Sequence, residues 1–187
     1  AIYGIDSHTE GTITFDGQQN FKPSPKASIK AGFGFVPEDR RGQGFIPLLS
    51  TTRNVALTNY DIIKKNGLAI NEKSELDMAL HTIKSIDVRP NDPDKQVGLM
   101  SGGNQQKVVL GKWLERDLKI LIVDEPTAGI DVGAKDEIYN ILEQLAQKGV
   151  GIILVSSDLQ ELIRVSHRIL VMRKGHIVKE FDHGMVT

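Results

Sequence analysis

Residues Leu121–Asp131 read LIVDEPTAGID; with Lys119 and Ile120 before them they carry a nearly continuous apolar run into two adjacent acids, Asp124 and Glu125. An unbroken apolar strand is what burial on both faces requires, and such strands belong to parallel sheets. In open parallel sheets, ligands gather just beyond the carboxyl ends of strands. Two neighbouring carboxylates there are costly unless a cation or a proton meets them. One acid suits a hydrated Mg²⁺, and the next suits orienting a water toward a phosphoryl group. A bare Asp-Glu pair is more often a strand ending in solvated acids. The apolar strand before it and Pro126-Thr127 after it favour function.

Working outward, Ala134–Lys148 has Ile138, Ile141, Leu142 and Leu145 at helical spacing, and Gly149 comes next as a stop. Gly151–Ser156 (GIILVS) is expected to be a second buried strand. Strand, helix, strand implies a parallel α/β core with right-handed crossovers. Asp158–Val165 reads as a short helix. Arg168–Arg173 and His176–Phe181 flank Lys174-Gly175 as a hairpin. Upstream, Phe33–Val36 is a short strand ended by Pro37, and Glu38–Gly44 (EDRRGQG) is a polar loop. Glu10–Asp16 alternates as a strand, and Gln18–Lys26, with two prolines, reads as a loop. Arg53–Ile63 and Glu72–Ile86 read as helices, the second with Leu76, Ala79, Leu80 and Ile83 on its apolar face. The two terminal hairpin patterns suggest antiparallel edges.

A second chemical signal is MSGGNQQK, Met100–Lys107. Ser101 is placed to cap a helix from about Asn104 to Arg116. Two glycines directly before a helix expose backbone N–H groups at its positive end, which suits a phosphate. Alone, this is an ordinary serine cap. Its position, one helix before the Asp-Glu strand, makes it specific.

Composition sets outer bounds. The chain has 187 residues, 40% hydrophobic and 25% charged, with a net charge of −1. That is ordinary for a globular domain. Near-neutrality gives no basic field for nucleic acid or anionic lipid. There are no cysteines, so disulfides, thiolate metal sites and cysteine nucleophiles are excluded. No apolar run approaches the roughly 20 residues a membrane helix needs. His8, His81, His167, His176 and His183 show no metal-ligand spacing and read as surface residues.

Together the two motifs resemble the ABC ATPase family. Met100–Asn104 is similar to its signature motif, Asp124 to the Walker B aspartate, Glu125 to the catalytic glutamate, and Gly129, Ile130 and Asp131 to the D-loop. VPEDRR (Val36–Arg41) stands in the Q-loop position, and LVSSDLQEL (Leu154–Leu162) closes and continues the next strand. With SGGNQQK, these narrow the resemblance to the second nucleotide-binding half of the tandem subunits of ribose-, galactose- and xylose-type importers. AIYGIDSHTEGTITFDG, Ala1–Gly17, resembles the segment just after that half's phosphate loop. The resemblance implies a P-loop NTPase-like α/β fold with a parallel central sheet and antiparallel edge strands. It also implies a small helical subdomain at about 50–116 within a single domain spanning 1–187. The interval from Glu38 to Ser101 has no room for the long coiled coil of chromosome-maintenance ATPases.

Three departures stand out. No G-x-x-x-x-G-K-[ST] occurs in the chain. By resemblance that loop would end a few residues before Ala1, so these residues alone are expected to bind ATP weakly and to be inactive by themselves. The Q-loop glutamine position holds Glu38, and the switch-histidine position holds Ser157, which cannot carry a positive charge.

The resemblance implies a head-to-tail pair with a second nucleotide-binding half. Met100, Ser101, Gly102, Gly103, Asn104 and Gln105 would contact the partner's ATP. Asp124 would hold Mg²⁺ in the intact protein, and Glu125 would position the attacking water. It further implies membrane permease subunits, met by Glu38–Gly44 and the helices within Arg53–Ile86, and an external sugar-binding protein reached indirectly. No nucleic-acid partner is expected. The implied place is the cytoplasmic face of the membrane. A second reading is a non-hydrolytic half that contributes only its signature face.

Overall fold

The computed structural model describes residues 1–6, 10–17, 21–65 and 69–182. Its centre is a three-stranded parallel sheet, ordered β1 (Phe33–Val36), β4 (Ile120–Asp124), β5 (Gly151–Val155). Val36 lies opposite Val123, and Asp124 opposite Val155, so the three strands end at one edge. β4 is the middle strand, and Leu121, Ile122 and Val123 are buried as its apolar run requires.

β5 departs from expectation. Ile152 and Leu154 pack against the core, but Ile153 and Val155 are 39% and 51% exposed. It is the sheet's outer strand, so among the described residues only the side facing α5 (Val132–Gln147) is covered.

α1 (Pro25–Ala31) begins inside a segment expected to be a loop. Pro25 stands in its first turn, where a missing N–H costs nothing, and the Ser24 hydroxyl accepts from Ala27 N–H at 3.2 Å. Glu10–Asp16 forms no strand; Ile13 carbonyl instead accepts Phe21 N–H at 2.8 Å. Residues 18–20, His8 and His183 lie outside the described residues. Phe21 stacks on Phe33 of β1, and Phe15 packs tilted against both, with Phe15 and Phe33 ring centres 4.5 Å apart.

After β1, Arg40–Gly44 closes one wide helical turn rather than an irregular loop. α2 (Thr51–Ala56) is shorter than expected, and a small antiparallel pair comes after it, β2 (Lys64–Lys65) with β3 (Ala69–Ile70). α3 (Glu72–Ser85) forms where the periodicity places it, but its buried face is rotated. Glu75, Ala79, Thr82 and Ile83 are buried, whereas Leu76 and Leu80 are about two-fifths exposed. Polar partners explain the difference. Arg53 pairs with Glu75 at 2.7 Å, and Thr82 donates to Glu115 at 2.8 Å. α2, α3 and α4 (Gly102–Leu114) pack on one another. Trp113 of α4 donates its indole N–H to Phe35 carbonyl at 2.9 Å, tying this group to β1.

α5 buries Ile138, Ile141, Leu142 and Leu145, and Gly149 (φ 89°) turns the chain into β5. α6 (Leu159–Val165) is next. β6 (Arg168–Arg173) and β7 (His176–Asp182) form the expected antiparallel hairpin. Among the described residues they pair only with each other, so they form a separate ribbon and do not border the parallel sheet. No helix among the described residues is long and apolar enough to cross a membrane.

Candidate functional site

The carboxyl edge of the sheet gathers residues from three strands. Glu38 lies just past β1, Asp124 and Glu125 cap β4, and Ser157 lies two residues past β5. Glu125 N–H still bonds Val155 carbonyl at 2.8 Å, but its φ is 44°, a left-handed value that favours glycine. This turn swings the side chain off the strand direction, and Oε1 accepts the backbone N–H of Ser157 at 2.7 Å. The loop beyond is pinned. Buried Thr127 donates to Glu161 at 2.8 Å, and Asp158 caps α6 while pairing with Lys135 at 3.0 Å. Ser157 itself is exposed, and so is Glu38.

Asp124 is half-buried at the rim. Burial, and then the charge of Glu125, hold its carboxyl above the usual aspartate range. A divalent cation would relieve both costs, so Asp124 fits one carboxylate ligand of a hydrated Mg²⁺. No cluster of three His, Asp or Glu side chains among the described residues could hold a metal unaided, so phosphates and water would complete the shell.

The signature segment begins with a short tight turn, Val97–Leu99. Ser101 occupies the N-cap position of α4 and is exposed, but its hydroxyl does not cap the backbone as the sequence suggested. It accepts from the Asn104 side-chain amide at 2.9 Å. The first intrahelical bond is Gln105 N–H to Ser101 carbonyl, which leaves the N–H groups of Gly102, Gly103 and Asn104 without helical acceptors. The glycines serve close approach: a Cβ on Gly102 would lie 2.9 Å from Arg40, and one on Gly103 would lie 2.9 Å from Ala134.

Two expected contact residues point inward. Met100 is buried in the core, and Gln105 is fully buried. The Gln105 amide reaches Val97, Gly98 and Met100 carbonyls and so fixes the preceding turn. Ser101 is exposed, Gly102 and Asn104 are half-buried, and Gly103 is buried against Ala134. In the segment expected to be the D-loop, Gly129 (φ 63°) and Asp131 are exposed, while Ile130 is buried.

Arg40 belongs to this site although the sequence places it in a solvent- or permease-facing loop. Its guanidinium turns inward to Ala128 carbonyl at 2.5 Å and Gly129 carbonyl at 3.3 Å. Burial, and then Arg41, lower its pKa. One side chain thus joins the turn after β1, the start of α4 and the Ala128-Gly129 turn. No local sequence signal announces a contact across 88 positions.

Comparison with known proteins bears on the family and the fold. The family model described as ABC transporter matches residues 1–128. The arabinose import ATP-binding protein AraG of Yersinia pestis is 42% identical over 186 residues, covering 100% of this chain and 36% of that protein. The ribose import ATP-binding protein RbsA of Streptococcus agalactiae is 43% identical over 181 residues, covering 97% of this chain and 37% of that protein. The chain therefore spans little more than a third of the length of these relatives. Among solved structures, the dimeric post-hydrolysis state of the ATP-binding cassette MJ0796 bound to ADP and Pi is 25% identical with a TM-score of 0.77. The match covers 95% of this chain and 75% of that one. A nucleotide-free cassette from an ABC transporter has a TM-score of 0.82 at 19% identity, a likeness of fold; it covers 97% of this chain and 73% of that one. On the match across residues 1–128, with the same fold in solved cassettes, this chain belongs to the ABC transporter family.

Proposed function

We propose that the chain is part of the second nucleotide-binding half of a sugar importer's ATPase subunit, working at the cytoplasmic face of the membrane. One observation carries this reading: Glu125, half-buried at the tip of the central strand, is aimed by the Ser157 N–H beside the rim carboxylate Asp124. Asp124 would hold Mg²⁺, which neutralises phosphate charge when bound. Glu125 would hold and orient the attacking water. Ser101 and the N–H groups of Gly102 and Gly103 would meet the γ-phosphate of ATP gripped by the other half. Residues of about 50–116 would act as a helical subdomain within the single domain and, with Glu38–Gly44, would face the permease. A sugar-binding protein would act through that permease. The import names of the relatives support the sugar reading.

Exchanging Glu125 for Gln in the full subunit, assembled with its permease, tests this. Turnover at the site built on this half should fall by about 100-fold or more while ATP still binds. Unchanged hydrolysis at that site would favour the second reading, a half that lends only its signature face. Glu38 and Ser157, in place of the usual glutamine and histidine, are what support that alternative.

A further inference from the structure

We infer that Asn104 is a positioning residue that fixes the hydrogen-bond polarity of Ser101, so that the serine hydroxyl faces a phosphate only as a donor. The inference rests on the reading that Ser101 meets ATP bound to the other half. Its starting point is a chain of contacts with only one chemical direction. Arg89 N–H lies 2.6 Å from one terminal atom of the Asn104 amide. A backbone N–H can only donate, so that atom is the carbonyl oxygen. The other terminal atom is then the NH₂ group, and it lies 2.9 Å from Ser101 Oγ. An amide NH₂ can only donate, so Ser101 Oγ accepts, and the hydroxyl proton is directed elsewhere. Ser101 is exposed, Gly102 is half-buried and Gly103 is buried behind it; among the described residues the N–H groups of both glycines have no helical acceptor. An anion arriving at Ser101 meets the hydroxyl proton at the positive end of α4. Without Asn104 the hydroxyl could rotate and present its lone pairs.

The upstream end of this chain is held firmly. Val88 is buried, and its N–H bonds Ile83 carbonyl at 3.0 Å. Lys107, buried on α4, donates to Asp87 carbonyl at 2.7 Å and pairs with Glu137 at 2.6 Å. The Arg89 N–H is therefore fixed by the end of α3 and by α4 together. Asn104 relays that fixed direction to Ser101, and so does not itself need to touch nucleotide.

The test compares Ser101→Ala, Asn104→Ala, the double variant and Asn104→Asp in the full subunit with its permease. The readouts are kcat and KM for MgATP, with thermal melting as a check on folding. Hydrogen bonds to charged groups set the scale, so Ser101→Ala should lower kcat about tenfold. Asn104→Ala should lower kcat several-fold with KM held within about twofold, because the contact forms only on closure. The double variant should be no slower than Ser101→Ala within about twofold. Asn104→Asp keeps the shape but can only accept from the hydroxyl, so it should be at least as slow as Ser101→Ala. Independent factors that multiply in the double variant would overturn the inference, as would wild-type kcat in Asn104→Asp. If Ser101→Ala alone leaves kcat unchanged, the failure belongs to the reading of this signature face, and the inference falls with it. A loss confined to thermal melting would show Asn104 to be structural only, which also overturns it.

Discussion

The Glu125 carboxylate is held by the backbone of Ser157, Oε1 to N–H at 2.7 Å, and not by the side chain at that position. A backbone donor serves any residue except proline that stands there. Ser157→Ala should therefore keep turnover within about twofold in the full subunit. Ser157→Pro removes the N–H and should lower kcat about tenfold or more. Steady-state ATPase assays, with melting curves to confirm folding, check the pair.

Glu125 also holds a left-handed backbone conformation, φ 44°. That conformation costs a residue with a Cβ about 1 kcal/mol, and glycine avoids the cost. Both Glu125→Ala and Glu125→Gly should be inactive. The glycine variant should be the more stable of the two by about 1 kcal/mol in urea unfolding. Equal stability would mean that the turn relaxes once the carboxylate has gone.

Arg40 clamps the carbonyls of Ala128 and Gly129. Lysine keeps the charge but lacks the two-pronged geometry, so Arg40→Lys should loosen the D-loop nearly as much as Arg40→Ala. The readout is amide hydrogen exchange at Ile130, whose N–H bonds Thr127 carbonyl at 3.2 Å. Exchange there should quicken about tenfold in both variants, while amides in β4 stay protected.

Lys112 is buried, and its Nζ donates to Gly44 carbonyl at 2.6 Å. Burial pulls its pKa down from 10.5 to about 8. Between these two values the unfolded chain holds a proton that the folded chain has lost, so stability rises with pH across this window. The gain should be on the order of 3 kcal/mol. Urea unfolding at a series of pH values from about 7 to 10 should show the rise, and Lys112→Met should flatten it.

Legibility in the sequence tracks how local each cause is. β4 and its acidic tip are readable because an apolar run and two adjacent carboxylates need no distant partner for their meaning. α3 is readable as a helix, but its buried side is not. Glu75 and Thr82 go inward because Arg53 and Glu115 pair with them, and those partners lie 22 and 33 positions away. Gln105, expected at the phosphate, instead sits in the core, where three carbonyls of the preceding turn receive its amide. Pro25 resembles a breaker because a first-turn proline and a loop proline differ only in the backbone conformation of the residues after them. Arg40 has no local sign at all. The polarity of Ser101 is equally hidden, since it depends on Arg89, 15 positions before Asn104.

Among the described residues, the outer strand β5 leaves Ile153 and Val155 open on one side, with a strand edge beside them. Bare apolar edges of this kind recruit further strands. A preparation of these 187 residues by themselves should therefore self-associate as concentration rises. Charged replacements at Ile153 and Val155 would be the first remedy for keeping it dispersed.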